Sequence, residues 1–290
     1  MQIEIKSNGR TAKLNTMGAE LVSLKNNDQL EHLWQGDATY WASHSPVLFP
    51  CVGKSRDDMA IIYGEKCEMP RHGFPRKMEF ELISQSADSA VFSLKANENT
   101  RKMYPLNFDL QIKYTLKNDT IEVCYIVHNL DEKEMYFGIG AHPGFNCPLV
   151  EGEAFEDYIL EFEQEETADI AEIIPNGLRT GNRIPYLKNQ SVLPLKHSLF
   201  DKDVLIFDDL KSCAVSMKSK VSGKGVRLNF PDFPHLGLWS NFGETPFVCI
   251  EPWIGLPSTV DSDYTLESKT GILKLSKGET FTKSYFITML

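Results

Sequence analysis

The sequence predicts an all-β protein, a large antiparallel sandwich, on three observations. Apolar and polar residues alternate with period two in segment after segment, helical periodicity is nearly absent, and turn-forming clusters punctuate the chain throughout. The clearest alternation puts Phe108, Leu110, Ile112, Tyr114 and Leu116 on one face. A turn at Lys117-Asn118-Asp119 follows, and Ile121, Val123, Tyr125 and Val127 then alternate again, which reads as a β-hairpin. Further strands are expected at 78–83, 91–96, 204–207, 226–230 and 285–290. Asn26-Asn27-Asp28, Asn97-Glu98-Asn99, Asp208-Asp209 and Ser222-Gly223-Lys224-Gly225 supply the turn chemistry between them. No linker, charge block or fixed-period repeat interrupts this pattern. Residues 1–290 are therefore expected to form one continuous domain.

Composition narrows the function classes. Hydrophobic residues make up 42% and charged residues 24%, enough apolar material for a large core and unlike a disordered chain. A net charge of −10, with Lys218, Lys220 and Lys224 scattered among Ser and Gly, lacks the basic stripe that nucleic acid requires. The start, Met1-Gln2-Ile3-Glu4-Ile5-Lys6, is not a signal peptide, and apolar runs such as 45–53 are too short for a bilayer. A cytoplasmic protein without a membrane partner is expected, as a monomer or homodimer. The six cysteines (51, 67, 124, 147, 213, 249) form no C-x-x-C pair, so they read as reduced thiols, mostly buried and bystanders to any chemistry. On that reading the sequons at Asn118 and Asn189 never meet a glycosylation machinery.

Several superficial motifs fail. Gly53-Lys54-Ser55 resembles the end of a phosphate-binding loop, but Leu48 stands at the required earlier glycine. Gly138-Ile139-Gly140 starts like a dinucleotide fingerprint, yet Pro143 replaces its third glycine. There is neither a G-x-S-x-G elbow nor an H-E-x-x-H helix.

Four segments place polar groups where a β-core should be apolar. Pro46-Val47-Leu48-Phe49-Pro50-Cys51-Val52-Gly53 runs into Lys54-Ser55-Arg56-Asp57, and Pro70-Arg71-His72-Gly73-Phe74 sets an imidazole at a Gly-flanked turn. In Tyr136-Phe137-Gly138-Ile139-Gly140-Ala141-His142-Pro143-Gly144-Phe145, an extended strand would put His142 over Gly138 and Gly140, leaving space for a ligand. In Phe247-Val248-Cys249-Ile250-Glu251-Pro252-Trp253 a carboxylate interrupts an apolar strand, which is expected to stop there because Pro252 has no N–H. Taken singly, each has a bland reading. A lone histidine is commonly a hydrogen-bonded structural residue, Glu251 a strand-end ion pair, Lys54 and Arg56 solvated charges, and Trp239 and Trp253 core.

Together these segments resemble the aldose 1-epimerase (galactose mutarotase) family, specifically its LacX-like branch. The similarity spans nearly the whole chain. Gly18-Ala19-Glu20-Leu21, residues 46–57, Arg71-His72-Gly73-Phe74, Gly140-Ala141-His142-Pro143-Gly144-Phe145, and Leu238-Trp239-Ser240 running to Cys249-Ile250-Glu251-Pro252-Trp253 carry it, in order and spacing. The resemblance implies a galactose mutarotase-like supersandwich with an open cleft for a small sugar, no required metal and no organic cofactor. It implies Glu251 as the general base at the anomeric hydroxyl, His142 as the general acid at the ring oxygen, and His72 as a second histidine near that oxygen. Asp203 (with Asp201 as competitor) falls on the acidic residue that binds sugar hydroxyls. The cleft arginine falls on Lys54 or Arg56, since relatives carry the two basic residues in the opposite order and Arg and Lys are not interchangeable. His142 charged and Glu251 ionised is the expected resting state. Trp239 and Phe74 are expected to pack on the sugar's apolar face. Two other readings stay open: a hexose-6-phosphate 1-epimerase using Arg71, Arg76 and Lys54 for the phosphate, and a non-catalytic carbohydrate-binding module, which needs no acid–base pair.

Overall fold

The computed structural model describes residues 1–290 and contains 22 strands; its one α-helix, Glu98–Arg101, is a single turn capped by Asn97. No helix is long and apolar enough to cross a membrane. Every ladder between these strands is antiparallel. The predicted hairpin is there as Phe108–Lys117 paired with Thr120–Asn129, with Ile112 opposite Tyr125, Leu110 opposite Val127 and Asn118 at φ 52° in the turn. The alternating side chains form one buried face, each large one contributing roughly 1.5–3 kcal/mol by leaving water.

A 15-stranded sheet dominates the fold and folds over as a sandwich around a core of 65 buried residues. Its order begins Val47–Leu48, Ile139–Ala141, Phe247–Ile254, His235–Trp239, Leu205–Phe207 and Tyr158–Ile173. It continues through Ala214–Ser219, Gly225–Asn229, Thr280–Met289 and Thr120–Asn129 to Phe108–Lys117, Ser89–Lys95 and Glu81–Gln85. The strand latest in the chain, Thr280–Met289, thus lies in the interior of the sheet between two strands made much earlier.

Expectation and structure differ at three places. The strand expected at 78–83 begins at Glu81, because Met78 closes a 3₁₀ turn on the Pro75 carbonyl and Phe80 bonds to Thr16 instead of a neighbouring strand. A long hairpin, Tyr158–Ile173 with Arg179–Pro194, has no clean alternation in sequence because register shifts between Glu161 and Ile173 break its period. The strand bearing Glu251 does not stop at Pro252 but runs to Ile254. On one flank it faces two short strands, Ile139–Ala141 and Gly144–Asn146, and Pro252 falls in register opposite Ala141, the last residue before the break between them.

That same break holds His142. Six consecutive strands of the sheet, from Val47–Leu48 to Tyr158–Ile173, therefore deliver their ends and loops to one cleft.

Candidate active site

The cleft has a volume of about 310 Å³ and is lined by Lys54, Arg71, His72, Arg76, His142, Asp203, Trp239 and Glu251, among others. That volume is at the small end of ligand pockets, which run from roughly 300 to 1,000 Å³. Glu251 and His142 meet at its floor: His142 Nε2 lies 3.3 Å from Glu251 Oε2, and their side chains are 9% and 1% exposed respectively. Strand alternation explains the carboxyl. Phe247, Cys249, Glu251 and Trp253 share one face, so Glu251 projects from the centre of the sheet while Trp253 beside it forms the cleft floor.

The space above the glycines is filled by protein. A Cβ on Gly140 would sit 2.8 Å from the Trp253 ring, and one on Gly237 would sit 2.9 Å from it. These glycines seat the indole that floors the cleft rather than leaving room for a ligand. His142 itself is not in a continuous strand, and the rings around it fix its orientation. Trp41 stacks on it at 4.8 Å between centroids with 25° between planes, and Trp239 meets it edge-on at 5.4 Å and 85°.

His72 arrives by a different route. A parallel bridge pairs Phe49 with Gly73, and Gly73 has φ 71°; a Cβ there would lie 1.8 Å from the Phe49 carbonyl oxygen, so only glycine fits. The turn presents the His72 ring 5.4 Å from that of His142. The Gly53 N–H donates to His72 Nδ1 at 3.1 Å, which leaves Nε2 as the protonated nitrogen for the cleft.

Burial governs the electrostatics. Desolvation, with Arg76 nearby, lowers His142 to about 3, and desolvation with the neighbouring His142, Arg76 and Arg71 holds His72 well below the usual imidazole range. Glu251 moves the other way: desolvation, then repulsion from Asp203, raises it well above the usual carboxylate range. Both shifts run against the expected charged imidazolium and ionised carboxylate. The pair shares one proton, and a dry site favours the neutral arrangement.

Asp203 lines the cleft at φ 84°, a strained conformation its carboxylate supports by accepting the Val204 N–H at 2.8 Å. Asp201 lines only an adjoining chamber of about 590 Å³ that shares Arg71, Asp203, Trp239 and Asn241 with the cleft. Lys54 reaches the cleft and pairs with Asp58 at 2.5 Å. Arg56 does not reach it. The 3₁₀ turn at Arg56–Asp58 swings that side chain outward, where Nη1 donates to the Ser262 carbonyl at 2.6 Å and the guanidinium lies over Tyr264. Phe74 is likewise absent from the cleft, buried against Phe49 and Phe108 in the core.

Trp41 and Asn241 line the cleft without having been expected there. Trp41 lies in an irregular segment with no period to read, held by Trp34 Nε1 donating to its carbonyl at 2.8 Å. Asn241, directly after Leu238-Trp239-Ser240, donates to the Tyr40 carbonyl at 2.7 Å and ties the two loops together. A lone Trp amid polar loop residues was the one sequence signal available for the first.

The fold is a β-sandwich of the galactose mutarotase kind, and comparison with known proteins agrees. The Aldose 1-epimerase family profile matches residues 1–272, and this chain belongs to that family. Protein LacX from Lactococcus lactis subsp. lactis, in its plasmid form, is 43% identical over the full length of both chains. A galactose mutarotase related enzyme from Lactobacillus acidophilus superposes with a TM-score of 0.95 at 33% identity, covering 100% of this chain and 97% of that one. A galactose mutarotase-like protein from Lactobacillus casei gives 0.94 at 31% identity with complete coverage of both.

Proposed function

We propose that the protein is an aldose 1-epimerase that interconverts the α and β anomers of a hexose such as galactose or glucose. The observation that supports this most is the buried contact between Glu251 and His142 at the floor of a sugar-sized cleft. Ring opening must remove the proton from O1 and deliver one to O5 as the C1–O5 bond breaks and its electron pair goes to O5. Glu251 takes the O1 proton and His142 protonates O5. Rotation about C1–C2 then turns the other face of the new carbonyl to the C5 hydroxyl, and the same two groups reverse roles to close the ring.

The assignment needs the shared proton on His142 when sugar is bound. Neither carboxyl oxygen of Glu251 accepts a hydrogen bond from the protein. Sugar hydroxyls are donors that reach those oxygens, and each such bond favours the carboxylate. His72, protonated at Nε2, donates toward the ring-oxygen region, Asp203 accepts from sugar hydroxyls, and Trp239 and Trp41 supply apolar faces.

A second reading has one specific observation behind it. Arg71 and Arg76 border the cleft beside Lys54, yet neither forms an ion pair; Arg76 Nε is buried without a partner. Two guanidinium groups without an anion suit a hexose phosphate. Polarimetry of freshly dissolved α-glucose and α-galactose against their 6-phosphates, with and without protein, tests both. Faster equilibration of the free hexoses supports the first reading, and a kcat/KM at least tenfold higher on the phosphates replaces it with the second. No acceleration of any of the four, with sugar still bound, leaves a binding module.

A further inference from the structure

Next to the acid–base pair lies a third group that mutarotation does not use. Cys249 stands two residues before Glu251 on the same face of the strand Phe247–Ile254, completely buried and free of any disulfide. Its register partner is Gly144, and a Cβ there would lie 3.4 Å from the Cys249 sulfur. Trp41 and Trp34 fill the rest of the space above Gly144, at 2.9 and 3.2 Å from that Cβ position. One donor atom each from His142, Cys249 and Glu251 lies within 4.8 Å of the other two. Glu251 is 1% and His142 7% exposed, and both Glu251 oxygens and His142 Nδ1 lack any hydrogen-bond partner.

We propose that His142, Cys249 and Glu251 form an inhibitory site for a thiophilic divalent cation such as zinc, occupied in competition with the sugar. Nitrogen, sulfur and oxygen donors select zinc or cadmium over magnesium or calcium. Donors bound at about 2.0–2.3 Å around a tetrahedral ion sit about 3.3–3.8 Å apart, so the three groups need close by only about 1 Å. On binding, the thiol and the carboxyl each release a proton to solvent while the imidazole contributes its lone pair. The fourth position opens toward the cleft, where the anomeric oxygen would lie. A bound ion therefore removes both acid–base groups at once and blocks substrate. The inhibitory consequence rests on the acid–base reading above, whereas the binding itself does not.

The test uses the full chain carrying Cys213→Ser, which removes the exposed thiol. Titration with Cd²⁺ should show a saturable thiolate-to-cadmium charge-transfer band at one ion per chain, displaced by Zn²⁺ and not produced by Mg²⁺. Adding Cys249→Ser should abolish it, with Cys249→Ala as a second variant and thermal unfolding confirming that each is folded. In mutarotation assays Zn²⁺ should inhibit competitively with sugar and be reversed by chelator. Cys249→Ser should need more than about 100-fold higher Zn²⁺, beyond the roughly 10–100-fold scale of merely losing an outer-shell partner, while its metal-free kcat/KM stays parental. No band in the parent, a band that survives both Cys249 variants, or equal zinc sensitivity would overturn the proposal. A Cys249-dependent band in a protein that turns over no aldose upholds the site and rejects only the acid–base reading.

Discussion

Protonating His142 in the folded protein should be costly, and acid stability offers a direct measure. The ring's ordinary value of 6.5 falls to about 3 because burial strips its water and Arg76 repels the added charge. At about 1.36 kcal/mol per pH unit, that gap corresponds to roughly 5 kcal/mol. The sign follows from linkage: below 6.5 the unfolded chain takes up a proton that the folded chain refuses, so stability falls with pH until about 3. Between pH 7.5 and 4.5 the term amounts to about 2.7 kcal/mol. His142→Asn removes it while keeping a polar side chain of similar reach. Urea unfolding of parent and variant at the two pH values should show the parent losing about 2.7 kcal/mol more than the variant, other carboxylates cancelling in the difference. An NMR titration of the His142 ring protons gives the same quantity independently. Equal acid sensitivity in the two proteins, or a ring that titrates near 6.5, would refute the dry-pair account.

Glu251→Gln should lower turnover by roughly 10²–10⁴-fold with KM nearly unchanged, and adding His142→Asn should cost far less than the product of the two losses, as steady-state kinetics can show. The same Glu251→Gln change should raise stability at pH 7 in a thermal melt. The folded carboxyl ionises only well above its unfolded value, so the parent carries a penalty that grows as pH rises above about 4.5. Rate against pH should be level through neutrality, with an alkaline fall where the pair loses its shared proton. An inflection near 6.5 would contradict the lowered His142 value. Arg76→Gln should raise KM for the preferred sugar or sugar phosphate roughly 10–150-fold, the scale of one charge-assisted bond, while Arg56→Gln changes it less than about twofold. Gly73→Ala should lower both melting temperature and activity, because its Cβ would overlap the Phe49 carbonyl that locates His72. A fully active, parent-stable alanine variant would show that the His72 turn tolerates repositioning.

Much of this architecture was legible because it depends on period. The hairpin at 108–129 announces its faces two residues at a time, and Glu251 stood out as a carboxylate in an otherwise apolar strand. Legibility ended where geometry overrides period. Tyr158–Ile173 hides behind bulges and a buried Glu166 that the Ser212 N–H and hydroxyl satisfy. Trp41 reaches His142 from an irregular loop, and the outward course of Arg56 depends on positive φ at Asp57. The protonation of the pair was not legible for a different reason. Sequence shows that a histidine and a glutamate are present, but burial decides where their proton rests.

The interior position of Thr280–Met289 has a consequence for synthesis. On the ribosome, Thr120–Asn129 emerges about 150 residues before the strand that must lie beside it. At about 5–20 residues per second, that edge stays open for roughly eight to thirty seconds, and Gly225–Asn229 joins it unpaired on the other side. The nascent chain thus waits as two partial sheets, each with a bare edge able to pair with another copy. Only when Thr280–Met289 leaves the exit tunnel can it slide between them and join the cleft-bearing half to the hairpin half. Production of this protein should therefore depend on how well the cell shields those two edges, and the yield of folded protein should fall more steeply with expression rate than its final stability suggests.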